Sequence, residues 1–386
     1  MEASLEPAVA EDVKSPGRRP MCKRCAWGLV RRRVERGAVF ETPGRHLSAR
    51  MKLVLLGVER FFLFLGLAEN NDPSAYRRDR EQAVFSLYKH MPAVLVGGPS
   101  RRDGCVAVPL APPGMQPLCV FLPPGPPALD PDGCVTLVVA FHGGAFVMGS
   151  HDSPAVVALL TELVRATGVV AVSANYRKAP EHRFPTWNND AALALAFAAD
   201  QLPYLDFFPP CAGFKLVVMG DSAGGNIACA AAHAHRSHVA HGLYLYPILD
   251  LAAFETESWQ RLGDPARHLL LSRPLAVAQC GNLFKEPQHA LLPLASPLRE
   301  TDWAGVPGCH LMVGAFDPLL DDSRGYYALC RAHDLPCSLS VYATAPHGWL
   351  SFPQSSPEKC EGLEEMNEVM RYWATQCTSS KSKRLI

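Results

Sequence analysis

A chain of 386 residues is long enough for one large mixed domain with insertions, or for two smaller domains. Its composition, 48% hydrophobic and 19% charged, excludes a mostly disordered chain. Lysine plus arginine and aspartate plus glutamate both total 37, so the formal net charge is zero and no global field selects nucleic acid or an acidic partner.

Residues 1–45 form a basic arm. Lys14, Arg18, Arg19, Lys23, Arg24, Arg31, Arg32, Arg33 and Arg36 crowd there, as in a solvated arm or one that touches anionic lipid. Cys22 and Cys25 make a C-x-x-C, but no second Cys/His pair at zinc-finger spacing and no βαβ pattern surrounds them, so metal or redox chemistry is not expected. The 13 cysteines are odd in number and irregularly spaced, and no Asn-x-Ser/Thr acceptor occurs, which leaves the compartment open. No basic segment followed by an apolar run opens the chain, so neither a signal peptide nor an N-terminal anchor is expected. The most apolar early stretch, 51–67, is broken by Glu59 and Arg60 and falls short of the about 20 residues a membrane span needs. Leu47, Met51, Val54, Leu55, Val58, Phe61, Phe62 and Leu65 recur at helical spacing instead, as on a core-facing or lid helix over 46–67.

Farther along, Cys105–Leu110 and Pro117–Leu122 flank a Pro-Pro-Gly turn and read as an antiparallel hairpin. Buried apolar runs then alternate with helical segments. The runs at Val135–Phe141, Val169–Asn175, Phe214–Met219, Leu243–Tyr246, His310–Gly314 and Ser338–Tyr342 read as central parallel strands. Helices are expected at Ala155–Thr167, Trp187–Gln201, Ala223–Ala234, Leu320–His333 and Gly362–Thr375. Leu251 to Val306 is too long for a single crossover and reads as an insertion. No internal repeat and no clean linker appears, so residues 46–386 are expected as one domain, with a cap drawn from 46–100 and 251–306.

Gly220-Asp221-Ser222-Ala223-Gly224 follows an apolar strand and precedes an Ala-rich helix, the setting in which G-x-S-x-G presents a serine on a tight strand-to-helix turn. Residues two before and two after that serine must be small, and the helix N-terminus adds free amides and partial positive charge. About 80 residues earlier, Phe141-His142-Gly143-Gly144-Ala145-Phe146 follows another strand, as a loop whose backbone can approach a reacting carbonyl closely. Asp317 follows the strand His310–Gly314; Asp321 and Asp322 compete with it, but both fall where a helix begins and are read as capping or helix-dipole residues. Among 14 histidines, His347 alone sits on the loop between the last strand and the terminal helix.

Six ordered motifs, Phe141–Ala145, Tyr176–Pro185, Gly220–Asn226, Tyr246–Asp250, Asp317–Asp322 and His347–Trp349, together resemble the hormone-sensitive lipase family of α/β-hydrolases, and within it the arylacetamide deacetylase-like branch. The likeness spans roughly residues 45 to 375. It implies an α/β-hydrolase fold: an eight-stranded, mostly parallel sheet with helices on both faces and a helical cap. It further implies hydrolysis of small hydrophobic esters or amides with no cofactor and no metal, with Ser222 as nucleophile, His347 as general base and Asp317 as the acid that orients it. In the oxyanion loop, amides of Gly144 and Ala145 join that of Ala223 while Gly143 shapes the turn; His142, Gly220, Asp221 and Gly224 support the two motifs. Ala145 replaces the glycine usual at its position, so a narrower mouth is expected.

Members of that branch usually begin with a membrane anchor at the endoplasmic reticulum. This chain shows none, so cytosolic placement or peripheral membrane contact stands as the alternative, and no oligomeric state follows. A rival reading is a ligand-binding relative that has lost catalysis, but such proteins typically lack a member of the triad, and all three residues remain here. A nucleic-acid partner is not expected, because no basic surface is interleaved with aromatics outside the arm.

Overall fold

The computed structural model describes residues 39–41, 104–264, 271–351 and 357–377. The C-x-x-C, the helix expected over 46–67 and the remainder of the cap segment 46–100 lie outside the described residues. Eight apolar segments form strands β2 (Val106–Leu110), β3 (Leu118–Leu122), β4 (Cys134–Phe141), β5 (Val170–Ala174), β6 (Gly213–Asp221), β7 (Val239–Leu245), β8 (Gly308–Phe316) and β9 (Cys337–Pro346). These are the eight expected from the sequence. A ninth, β1 (Val39–Glu41), pairs with β9 in parallel at the sheet edge. Three residues are too few for a period to show, so no local pattern announces it.

The order across the sheet is β1-β9-β8-β7-β6-β4-β5-β3-β2, and only β3 runs against the others. All eight residues of β4 and all five of β5 are buried, so both faces of the sheet are covered. The cover comes from α1 (Pro154–Thr167), α2 (Thr186–Asp200), α3 (Ala223–Ala234), α6 (Leu320–Ala332) and α7 (Pro357–Ala374), with α1 packed on α7 and α2 on α3. Local signals fix the ends of α1: Pro154 opens its first turn and Gly168 closes it with φ 75°. The terminal helix starts a turn earlier than the expected Gly362. That glycine is a packing device inside α7, because a Cβ there would lie 2.9 Å from Leu350 and 3.2 Å from the Trp349 ring nitrogen.

The insertion 251–306 contributes α4 (Glu257–Leu262), α5 (Arg273–Leu283) and two short 3₁₀ turns. Backbone carbonyls help to fasten it. The Leu283 carbonyl accepts from the Phe184 amide (2.9 Å), Arg183 donates to the Phe284 carbonyl (3.2 Å), and within the insertion Arg273 Nε donates to the Phe254 carbonyl (2.8 Å). Among the described residues no helix is long and apolar enough to cross a membrane.

Candidate active site

Four strands deliver four motifs to one edge of the sheet, where crevices form in open α/β sheets. His142 follows the last residue of β4, Ser222 that of β6, Asp317 that of β8 and His347 that of β9. Register does the aligning. Phe141 pairs with Gly220, so the glycine-rich loop and the serine turn leave the sheet side by side. Phe316 pairs with Pro346, which sets Asp317 beside His347.

Ser222 holds φ 55° and ψ −117°, a conformation that costs a non-glycine residue about 1–3 kcal/mol and persists only when its surroundings impose it. The surroundings do impose it. A Cβ on Gly220 would stand 2.1 Å from the Gly224 carbonyl oxygen, and one on Gly224 would stand 2.0 Å from that of Phe141. The Ser222 amide donates to the Leu245 carbonyl (2.9 Å), tying the turn to β7. The side chain is thereby presented at the N-terminus of α3.

Ser222 Oγ lies 3.0 Å from His347 Nε2, and His347 Nδ1 lies 2.8 Å from Asp317 Oδ2. Asp317 is fully buried, and its other oxygen accepts from the Leu319 amide at 2.9 Å. The Tyr246 ring meets the imidazole edge-on, with centroids 5.2 Å apart, and Tyr246 in turn packs on Trp349. A serine hydroxyl bonded to an imidazole that a buried carboxylate orients can lose its proton as it attacks a carbonyl.

On the neighbouring loop Gly144 adopts φ 127°, Ala145 φ 52° and Phe146 φ 62°. Among the described residues, the amides of Gly144, Ala145 and Ala223 donate to no protein acceptor. The Gly143 amide is different: it donates to Asp221 Oδ1 at 2.8 Å. The Gly143 donor is therefore already used, and the part left to this residue is to shape the loop. Burial pushes the Asp221 carboxyl up to about 6, against the Gly143 bond that favours the charged form. His142 lies beneath the same loop, stacked on Tyr176 at 4.4 Å with Nδ1 2.7 Å from the Gly143 carbonyl and Nε2 3.2 Å from Asn175 Oδ1. Burial first, and the nearby Lys178 ammonium second, lower its pKa to about 3, so it braces the loop as a neutral ring.

Asp321 and Asp322 both stand in the first turn of α6, where the helix dipole favours a carboxylate, and each also binds another segment. Asp321 Oδ2 accepts from the Ser258 amide (2.7 Å) in the first turn of α4, and the buried Asp322 accepts from the amides of Leu249 (2.8 Å) and Asp250 (3.2 Å). Proximity to a helix start pointed to capping or the helix dipole; the amides these carboxylates accept from belong to two other segments that the topology brings near.

Ser222 opens into a cavity of about 580 Å³, counting its open mouth. Ala145, Phe146 and Met148 line it from the glycine-rich loop, and Ile248, Leu251 and Phe254 from the segment after β7. Leu275, Ala276, Gln279, Cys280 and Leu283 of α5 form the facing wall. The sequence carries a helical period at those five positions, but the stretch is too short and too weakly apolar for it to stand out, and the helix is not among those expected. Among the described residues no cluster of His, Cys, Asp or Glu is arranged to hold a metal ion.

The site and the fold define a class, the α/β-hydrolases, and comparison with known proteins agrees. A family model described as alpha/beta hydrolase fold matches residues 138–351, more than half of the chain. The chain belongs to that family, in its hormone-sensitive lipase-like, carboxylesterase-type form. The carboxylic ester hydrolase LipN of Mycobacterium tuberculosis is 28% identical over 247 residues, covering 62% of this chain and 64% of LipN, just under two thirds of its length. An ethyl acetate hydrolase of Pseudomonas putida is 29% identical over 252 residues, 63% of this chain and 74% of that protein. A solved esterase of Pyrobaculum calidifontis superposes with a TM-score of 0.69 at 27% identity, covering 86% of this chain and all of the other.

Proposed function

We propose that this chain is a carboxylic ester hydrolase that works through an acyl-enzyme on Ser222. The observation that carries the reading is the continuous relay Ser222–His347–Asp317 at three strand ends, with spacings of 3.0 and 2.8 Å, opening into an apolar cavity. Ser222 attacks the ester carbonyl as His347 Nε2 takes its proton, and Asp317 holds the Nδ1 proton and stabilises the imidazolium. The amides of Gly144, Ala145 and Ala223 receive the oxyanion, in a site where donors need not reorganise during the reaction. His347 then protonates the departing alcohol, and water enters by the reverse steps to release the acid.

The lining favours hydrophobic acyl or aryl groups. The narrower, arylacetamide deacetylase-like reading adds aryl esters and arylacetamides to the candidates, and Ala145 at the mouth limits their bulk. Peripheral contact with a lipid surface belongs to the same reading, because Val277, Leu291 and Leu292, 44–52% exposed, lie on the segment that covers the cavity. The test is labelling by a fluorophosphonate together with hydrolysis of a chromogenic ester. Both are expected in the parent and absent in Ser222→Ala; labelling or hydrolysis that survives the substitution overturns the assignment.

A further inference from the structure

One side chain in the cavity does not belong to an apolar site. The face of α5 that looks toward Ser222 carries Leu275, Ala276, Gln279, Cys280 and Leu283, spaced so that they form one stripe. Gln279 sits in the middle of that stripe. Its carbonyl oxygen Oε1 is buried and accepts no hydrogen bond from any described residue. The two positions just before it, Val277, 52% exposed, and Ala278, also exposed, face away from the cavity, so Gln279, itself half-buried, stands on the cavity side of α5. A buried amide carbonyl without a donor is disfavoured against the same group in water, and it persists where a ligand completes it.

We infer that Gln279 is a specificity-determining residue: it accepts a hydrogen bond from a hydroxyl or N–H group that the substrate carries away from its reacting carbonyl. This deepens, and rests on, the ester-hydrolase reading of the same cavity. Around Gln279, apolar contact accommodates many acyl or alkoxy chains with little discrimination, since a methylene more or less changes affinity only modestly. A polar group inside such a pocket discriminates more strongly, because a substrate without the matching donor leaves it unpaired. The cavity is thus matched to an amphipathic ester, hydrophobic along most of its length with a single donor, and is less suited to a simple alkyl ester.

The test uses the full chain and three chromogenic esters of equal length, one with a hydroxyl on the acyl chain, one with a methyl and one with a ketone at that position, and the same three variations on the alcohol side. In the parent, one hydroxyl ester is expected to exceed its methyl and ketone counterparts by on the order of tenfold or more in kcat/KM. Gln279→Leu, and Gln279→Met should the first variant fold poorly, bring that ratio to about one while the methyl ester is still hydrolysed. A residue that merely held α5 in place would slow all esters together and leave the ratio unchanged, which would overturn the inference, as would a ketone preference in the parent. Binding of the same esters to Ser222→Ala, followed by thermal shift, keeps this question separate from catalysis. Hydroxyl-selective binding that disappears in the Ser222→Ala, Gln279→Leu double variant supports the role of Gln279 even if no ester is turned over, an outcome that removes the hydrolase reading alone.

Discussion

Two of the serine, histidine and carboxylate arrays among the described residues differ in place: one opens into the cavity and the other is closed within the sheet. Ser222, His347 and Asp317 follow the ends of three strands. The other array lies within the sheet: His310 and Ser338 are direct partners across β8 and β9, with Nδ1 2.7 Å from Oγ, while His310 Nε2 is 3.6 Å from Glu365 of α7. Ser338 is 1% and His310 2% exposed. Residue types and short distances are thus shared, and position along the strand separates them. Mid-strand, the backbone amides are spent on the ladder and no substrate can approach. At the strand end, a strained turn lifts the hydroxyl free and leaves amides of a helix N-terminus unspent.

The sharpest way to break this contrast is to exchange the serines. Ser222→Ala is expected to lower kcat by on the order of 10⁶, as triad removal does elsewhere. Ser338→Ala, measured on the same ester, is expected to leave kcat within about threefold and to cost about 1 kcal/mol of stability for the lost buried hydrogen bond. Comparable losses in the two variants would erase the distinction. Next in size, Asp317→Asn should reduce kcat by about 10⁴ with the fold intact, because the amide no longer holds the required imidazole tautomer; steady-state kinetics beside circular dichroism separates this from unfolding. Ala145→Gly is expected to act more gently, relieving about 1 kcal/mol of left-handed strain at φ 52° and raising activity on bulky leaving groups a few-fold. An unchanged ratio of bulky to small esters would show that Ala145 does not shape the mouth.

The smallest effect is one of pH. Burial raises the Asp322 carboxyl from 3.8 to about 8, so in the folded chain it keeps a proton that the unfolded chain has already lost. The folded state binds more protons across that interval, so this contribution to stability is complete below about pH 4, declines as pH rises and is gone above about pH 8. Asp322→Asn should flatten that part of a melting-temperature profile between those limits. An equally steep profile would rule the residue out as its source.

Much of this was legible in the sequence because it is local. The G-x-S-x-G turn, the apolar runs of the central strands and the order of Ser222, Asp317 and His347 are written in adjacent residues and simple periods. What was not legible depends on register or on contacts between distant segments. The pairing of Phe316 with Pro346 that sets Asp317 beside His347 has no signature in either stretch. The hydrogen-bond partners of Asp321 and Asp322 lie more than 60 residues away, so nearness to a helix start could give the dipole role but not these contacts. Gly362 read as a boundary because backbone cost is visible in a sequence, whereas the tight approach of Trp349 and Leu350 that repays it is not. The wall supplied by α5 was placed only as part of an insertion, since a half-apolar stripe over eleven residues is a weak signal.

The bond between the Gly143 amide and Asp221 has a consequence for how such a site can change over time. It clasps the loop after β4 to the residue beside Ser222, so attacking group and anion-receiving amides keep a common frame of reference and shift together or not at all. The α5 wall is outside that clasp. Substitutions at Leu275, Gln279 or Leu283 can redraw what the cavity admits without disturbing the alignment below, which lets a lineage exchange diets while its chemistry stays put.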